Sequence, residues 1–436
     1  MKEKTLNVGD KVILKTRDKD WTGNVLESHD SEVILLKLES GYNIGLREES
    51  IIDVKVLLKA KPTETKEIKS EQNSKLKNIA MIITGGTISS RLDPKTGAVK
   101  WTSVEDLFTM APELKEICNI TKIEKPFMKG SEDMSMKYWA EIAEIAEKLL
   151  NDETIDGLII THGTDTLHFG SAALSFYLGK LNKPLAFTYS QRSIDRGSTD
   201  AHLNLICAAK YAISDIAEVA IIGHENLDDE FCLAMPGTKV RKMHSSRRDA
   251  FKVINSEPLA RISKEDFKIL KEFNARGPAR SSHGESNEKI KVDIKYTPFV
   301  TMIKIHPGQS PEVLDFYKEK GFRGIILETT GLGHVPGSDS DNNWLPTIKR
   351  LVKDGMTICA TAQTIYGSIN MNVYSNGRDL EKTGIIDLKD MLSETAFVKL
   401  SWVLGHKTWS KDSEKIKEEM LKNISGEFND KLGLEF

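Results

Sequence analysis

The sequence predicts an α/β protein, a pair of α/β domains built on parallel sheets with helices on both faces, preceded by a small all-β barrel domain. Three features carry this. The first 58 residues hold short alternating apolar segments, residues from 78 onward hold unbroken apolar runs that lead into helix-period stretches, and a polar Gly/Ser-rich passage at 275–291 divides those runs into two series.

Within 1–58 the apolar segments fall at 11–16, 24–28, 32–38 and 51–57, parted by Gly, Asp and Ser turns. A period of two suits strands with one face in a small core. Residues 59–77 nearly lack large apolar side chains and cannot bury enough surface to offset their ordering entropy, so they read as a linker. The first α/β domain, 78–290, has its runs at 79–83, 157–160, 185–187 and 219–222. Apolarity without alternation fits strands covered on both faces. Between them Trp139, Ile142, Ala143, Ala146, Leu149 and Leu150 share one helical face. A smaller α/β domain, 291–410, repeats the pattern at 299–305, 324–327 and 356–360. Residues 411–436 form a C-terminal helix and tail whose apolar side, Ile416, Met420, Leu421 and Ile424, docks either on its own domain or on a partner.

A chain of 436 residues with 39% hydrophobic content excludes wholesale disorder and a minimal peptide module. Lys plus Arg number 61 against 64 Asp plus Glu, a net charge of −3, so no overall field draws in nucleic acid or a membrane. Cys118, Cys207, Cys232 and Cys359 lie far apart with no CxxC spacing, which matches neither a disulfide framework nor a zinc site and points to a reducing cytoplasm. No signal-peptide core opens the chain, and no uncharged apolar run approaches the roughly 18 residues of a membrane span. A soluble cytoplasmic protein is expected.

Two turns carry the chemistry. Thr84-Gly85-Gly86-Thr87-Ile88 follows the first strand and Thr161-His162-Gly163-Thr164-Asp165-Thr166 follows the second, both at the carboxyl ends of strands in an open parallel sheet. Glycine pairs alone are equally explained by tight backbone turns. Two such turns able to face one cleft are more informative. Neither GxGxxG nor GxxxxGK[ST] occurs, so phosphate binding has little support. The hydroxyls of Thr87 and Thr164, the Asp165 carboxylate and the backbone amides near Gly86 and Gly163 are parts for acyl transfer through a threonyl ester, with the amides as oxyanion donors. A base is missing from both turns.

The two motifs, in this order and each after an apolar strand, resemble the signatures of the L-asparaginase and glutaminase amidohydrolases. That resemblance implies an asparaginase-like pair of α/β domains and a lysine from a later loop, which falls on Lys242 in Val240-Arg241-Lys242-Met243. It implies Thr87 as first choice for the nucleophile, with Thr164, Asp165 and Lys242 as a coupled unit that attacks or relays protons. Ser131 and Glu132 stand where family members hold the amino-acid ends of the substrate. Glu132 departs from the commoner glutamine there, and the loop at 91–97 lacks the tyrosine that free asparaginases place beside the nucleophile. The added carboxylate would favour the substrate ammonium and repel its carboxylate, and the missing tyrosine suits a site completed when a partner orders the lid.

A narrower resemblance covers essentially the whole chain. The barrel and linker, the Lys242 loop, and the stretches at 191–195, 331–336 and 363–367 are together similar to the D subunits of archaeal glutamyl-tRNA(Gln) amidotransferases. This implies ammonia release from glutamine or asparagine. The ammonia would go to a partner, the amidotransferase E subunit, which uses ATP and magnesium to convert glutamyl-tRNA(Gln) and makes most of the tRNA contact. No cofactor or metal is expected in this chain, and a homodimer within a heterotetramer is. The rival readings are a free L-asparaginase or glutaminase and a non-catalytic scaffold of the same fold. His162 and His334 read as hydrogen-bonded structural residues, since no HExxH or clustered ligand set surrounds them. Arg241, Arg247 and Arg248 read either as a tRNA-facing patch or as members of internal ion pairs.

Overall fold

The computed structural model describes residues 6, 9–26, 32–38, 40, 42–59, 73–92, 99–101, 111–277, 289–429 and 431. Most of the expected linker and of the 91–97 loop lies outside the described residues.

Lys11–Thr16 (β1), Asp20–Leu26 (β2), Val33–Leu38 (β3), Asn43–Arg47 (β4) and Ile51–Leu58 (β5) form an antiparallel sheet in the order β4-β3-β2-β1-β5. Its core is Val12, Leu14, Val25, Leu36 and Ile51. The expected small all-β domain is present as these five strands, with β4 and β5 joined through the single turn Glu48–Ser50. β4 leaves no trace in the sequence pattern because Asn-Ile-Gly-Leu-Arg has no β-branched run. Its pairing with β3, from Val33 opposite Arg47 to Lys37 opposite Asn43, supplies what propensity does not.

The next strands are Asn78–Ile83 (β6), Ser90–Leu92 (β7), Val99–Trp101 (β8), Asn119–Glu124 (β9), Gly157–Thr161 (β10), Leu185–Thr188 (β11), Val219–His224 (β12), Cys232–Pro236 (β13), Val240–Lys242 (β14), Phe251–Val253 (β15), Ala260–Ile262 (β16) and Phe267–Ile269 (β17). Eight of them make one sheet in the order β17-β16-β13-β12-β11-β10-β6-β9. The strands β9, β6, β10, β11 and β12 are parallel, as the unbroken runs predict. An antiparallel edge of β13, β16 and β17 extends the sheet. The sequence does not announce this edge, because strands of three to five residues interleaved with charges carry too little periodicity. The helices Met136–Leu150 (α1), Leu167–Leu178 (α2) and Ala201–Ala212 (α3) cover the two faces. The α1 residues predicted to share a face are all buried.

One register brings the two motif-bearing turns together. β6 and β10 are adjacent and in step, Ile79 opposite Gly157 through Ile83 opposite Thr161. The turns that leave their carboxyl ends therefore emerge side by side.

The second sheet, Val300–Lys304 (β18), Gly324–Thr329 (β19), Thr357–Ala362 (β20) and Ile386–Asp387 (β21), is parallel in sequence order. Glu312–Glu319 (α4), Leu345–Lys353 (α5) and Ser375–Glu381 (α6) belong to it. Ser393–Gly405 (α7) packs against both domains: Phe176 of α2 stacks on its Trp402 with ring centroids 6.1 Å apart, and its Leu400 lies against Gly324 of β19. The helix Ser413–Leu421 (α8) starts at Asp412, whose carboxylate accepts from the Glu414 and Lys415 N–H groups. Its Ile416 and Met420 are buried, so the tail docks on its own chain. All four cysteines are free and buried.

The tail is locked by one fully buried ion pair. Lys399 Nζ of α7 donates to Glu427 at 2.6 Å and to the carbonyls of Met420 and Lys422, while Glu427 accepts from the Ile424 and Ser425 N–H groups. Replacing one partner orphans a buried charge. Glu427→Ala is therefore expected to destabilise the protein by about 3–5 kcal/mol in denaturant unfolding, and Lys399→Met/Glu427→Leu to recover much of that loss.

Candidate active site

The site is assembled by glycines where chains must approach closely. Gly85 and Gly86 have φ of 115° and 76°, a region that costs other residues strain. A Cβ on Gly86 would lie 2.4 Å from the Gly163 backbone, and one on Gly163 would lie 2.8 Å from Ser131 Cβ and Oγ. Three turns, 84–87, 129–132 and 161–166, thus meet backbone to backbone. Polar contacts fix them further: Lys129 N donates to Thr84 O at 2.9 Å, Gly86 N to Lys129 O at 3.2 Å, and Asp165 N to Ser131 Oγ at 2.9 Å.

Thr87 opens the single 3-10 turn Thr87–Ser89, with its side chain half-buried. Ser90 Oγ donates to its carbonyl at 2.7 Å. Gly86 donates its own amide to Lys129, so its own contribution is the close approach to Gly163. Ser131 is buried, and its carbonyl accepts from Thr166 Oγ1 at 2.7 Å. Glu132 is exposed, with its carboxylate folded back over Gly130.

β14, paired with β15, delivers Lys242 to these turns. Its Nζ donates to Thr164 Oγ1 at 2.8 Å and to Asp165 Oδ1 at 2.7 Å. The Lys242 side chain is 11% exposed, whereas that of Asp165 is 61% exposed. A proton can pass between the Thr164 hydroxyl and Lys242 while Asp165 fixes the amine's direction. No hydrogen bond joins Thr87 to this unit. The Gly86–Gly163 approach is what sets the two threonine turns against one another.

His162 is buried with Nδ1 2.7 Å from Gly163 O, and burial pushes its pKa down to about 4. His168, in the first turn of α2, is pushed down to about 3 by burial and then by Arg241 and Lys242. His334 is not brought to these turns. It lines a cavity of about 830 Å³ at the carboxyl ends of β18 and β19, with Ile305, Pro307 and Asn376. The basic cluster resolves into internal pairs: Arg241 with Glu394 at 3.0 Å, Arg247 with Asp249 at 2.9 Å and Arg248 with Asp229 at 2.8 Å. Among the described residues no group of three His, Cys, Asp or Glu side chains is placed to hold a metal. Nor is any helix there long and apolar enough to cross a membrane. Sequence reasoning missed the Ser131–Asp165 link and the Glu394 contact. A serine beside a glycine is a faint signal for the first, and none exists for a glutamate more than 150 residues from its partner.

Three family models match the chain: "Asparaginase, N-terminal" over residues 78–274, "Glutaminase/Asparaginase C-terminal domain" over 299–420, and "GatD N-terminal domain" over 6–57. The D subunit of the Pyrococcus furiosus glutamyl-tRNA(Gln) amidotransferase is 44% identical over 437 residues, covering 98% of this chain and 96% of that relative. The chain belongs to the family of glutamyl-tRNA(Gln) amidotransferase D subunits. Its fold is that of the asparaginases. The thermostable L-asparaginase from Thermococcus kodakarensis aligns with a TM-score of 0.69 at 28% identity, over 81% of this chain and 100% of that one. L-asparaginase I from Vibrio cholerae aligns with a TM-score of 0.69 at 26% identity, over 81% and 99%. As a member of the D-subunit family the chain thus pairs an asparaginase-type domain with an N-terminal β domain, as the motifs and segment pattern imply.

This geometry sets expectations for stability. Gly86→Ala forces a Cβ into the Gly163 backbone at positive φ, and unfolding measurements are expected to show at least about 1–3 kcal/mol of destabilisation. His162 and His168 have native pKa values below the unfolded value near 6.5, so their stabilisation is complete above that pH and is lost as pH falls toward 4 and then 3. Unfolding midpoints should therefore drop between about pH 6.5 and 4, and His162→Asn should flatten the drop.

Proposed function

We propose that this chain hydrolyses the side-chain amide of glutamine or asparagine through a threonyl acyl-enzyme, and that the ammonia serves a partner, the amidotransferase E subunit, in converting glutamyl-tRNA(Gln) to glutaminyl-tRNA(Gln). The observation that carries the reading is the contact of Lys242 Nζ with both Thr164 Oγ1 and Asp165 Oδ1, beside a turn that presents Thr87.

The Thr87 hydroxyl attacks the amide carbon and gives up its proton. The C–N bond breaks, and ammonia leaves with a proton returned to its nitrogen. Water then attacks the ester, releasing the amino-acid carboxylate and restoring the hydroxyl. Thr164, Asp165 and Lys242 move the protons of these two steps. Ser131 and Glu132 lie where the amino-acid ends are held, and the Gly163 turn faces the reacting carbonyl. ATP and magnesium are assigned to the partner, as is most of the tRNA contact, and no cofactor is assigned to this chain. The net charge of −3 supports that division, because a chain gripping many phosphates by itself would be more basic. The working assembly is a homodimer of this chain within a cytoplasmic heterotetramer. A free L-asparaginase or glutaminase is the second reading, favoured by the solved structures named L-asparaginase. The N-terminal β domain, matched by the "GatD N-terminal domain" family, favours the first.

Ammonia release from glutamine, measured for the purified chain alone and with the E subunit, ATP, magnesium and glutamyl-tRNA(Gln), tests this. Strong release only in the full mixture is expected, and strong release by the chain alone, unchanged by the additions, would establish the free amidohydrolase. In the same assay Thr87→Val, Thr164→Val and Lys242→Met should each lower kcat by about 10³-fold or more, with losses that do not add when combined. Intact release in Lys242→Met would sink the catalytic assignment.

A further inference from the structure

Among the described residues the short strand that carries Lys242 makes no ladder with the main sheet, since β14 pairs only with β15. Beyond that pairing, its charged side chains are held from the other domain. Successive side chains of an extended segment point to opposite sides. Lys239, with a fully buried side chain, reaches Asp390 at 2.5 Å, and Arg241 reaches Glu394 Oε1 at 3.0 Å. Val240 lies in the core and Lys242 turns toward Thr164 and Asp165. Residues i and i+2 are thus clamped by two carboxylates four residues apart, at and just before the first turn of α7, while i+3 is left to the chemistry.

Asp390 has independent support, since it accepts from Asn429 Nδ2 at 2.7 Å. Glu394 has less. Its Oε2 has no hydrogen-bond partner among the described residues, and His168 Nε2 lies 3.9 Å from its Oε1. A nearly buried carboxylate with one close cation is costly to keep, and nothing in the proposed chemistry touches it.

We propose that Glu394 is a positioning residue: through the Arg241 guanidinium it anchors the β14 strand to the second domain and balances the charge next to Lys242. This rests on the catalytic reading of Lys242. The charged and titratable groups that act on Glu394 are Arg241 from β14, Glu328 from β19 and, 3.9 Å away, His168 of α2, which in turn feels Arg241, Lys242, His162 and Asp165. Burial raises the Glu394 pKa and Arg241 opposes that rise, so the pair is interdependent.

The test uses the full chain assembled with the E subunit, ATP, magnesium and glutamyl-tRNA(Gln), and follows ammonia release from glutamine against pH. Glu394→Gln and Arg241→Met should each lower kcat by about 10²-fold, the effect of displacing a reacting group by about 1 Å, with KM little changed. Glu394→Gln leaves an uncompensated cation, so limbs of the pH–rate profile that report proton loss from the cluster should move to lower pH. Arg241→Met leaves an uncompensated anion, and those limbs should move to higher pH. Arg241→Met/Glu394→Gln should cost no more than the worse single variant, as residues acting as one unit do. A purely packing role would lower the unfolding midpoint without opposite pH shifts. Wild-type kcat and pH profile in both single variants, or shifts in the same direction, overturn the proposal. Should Glu394→Gln fail to fold, the upward shift in Arg241→Met decides alone. Lys242→Met runs in parallel: if it abolishes release while the clamp variants behave as wild type, only the clamp is wrong, and if it leaves release intact, the catalytic reading and the clamp fall together.

Discussion

The candidate site depends on one close approach, that of the Gly86 backbone to the Gly163 backbone. Two constraints make it possible. β6 and β10 are neighbours in a parallel sheet and in step, so their carboxyl ends deliver two turns to the same place. Neither turn then carries a side chain at the point of contact. A methyl group at Gly86 would part the Thr87 turn from the Thr164 turn, one at Gly163 would push the Thr164 turn off Ser131, and no side chain could restore the first pairing, because among the described residues Thr87 has no hydrogen bond to the Thr164–Lys242–Asp165 unit. Preorganisation here is a property of backbone shape, and the polar contacts from Lys129 and Ser131 keep it from relaxing.

The two α/β domains also share a core, and this holds the lysine side of the site. α7 is buried almost all round, with Phe176 stacked on Trp402 from one side and Gly324 pressed on Leu400 from the other. A helix placed this way cannot move without disturbing both sheets. Asp390 and Glu394, just before it and in its first turn, inherit that rigidity and pass it to residues 239–242. The tail adds to it, because Lys399 of the same helix holds residues 420–427 and Asn429 returns to Asp390.

Much of this is legible in the sequence, and the exceptions have physical causes. Unbroken runs such as 79–83 and 157–160 announce doubly covered strands, and the six apolar residues of α1 announce its face, because burial on both sides or along one stripe leaves a periodic trace. Thr87, Thr164 and Asp165 are legible because their turns follow strands directly. Lys242 is legible only through resemblance, since a lysine in a basic loop has no local mark of its direction. β4 and the β13–β16–β17 edge are not legible because strands this short carry too little periodicity, and Glu394 is not because its partner Arg241 lies more than 150 residues away.

The fate of the cations near the site bears on what this chain can do alone. Lys239, Arg241, Arg247, Arg248 and Lys252 cluster in 239–252 and look, as a string, like a patch for phosphates. Each is instead paired with a carboxylate of the same chain: Asp390, Glu394, Asp249, Asp229 and Asp249 again. A cation already held by an anion releases no counterion when a phosphate arrives, and breaking the pair costs what the new contact would return. Residues 239–252 therefore hold Lys242 against Thr164 and Asp165 with cations already committed to carboxylates of this chain.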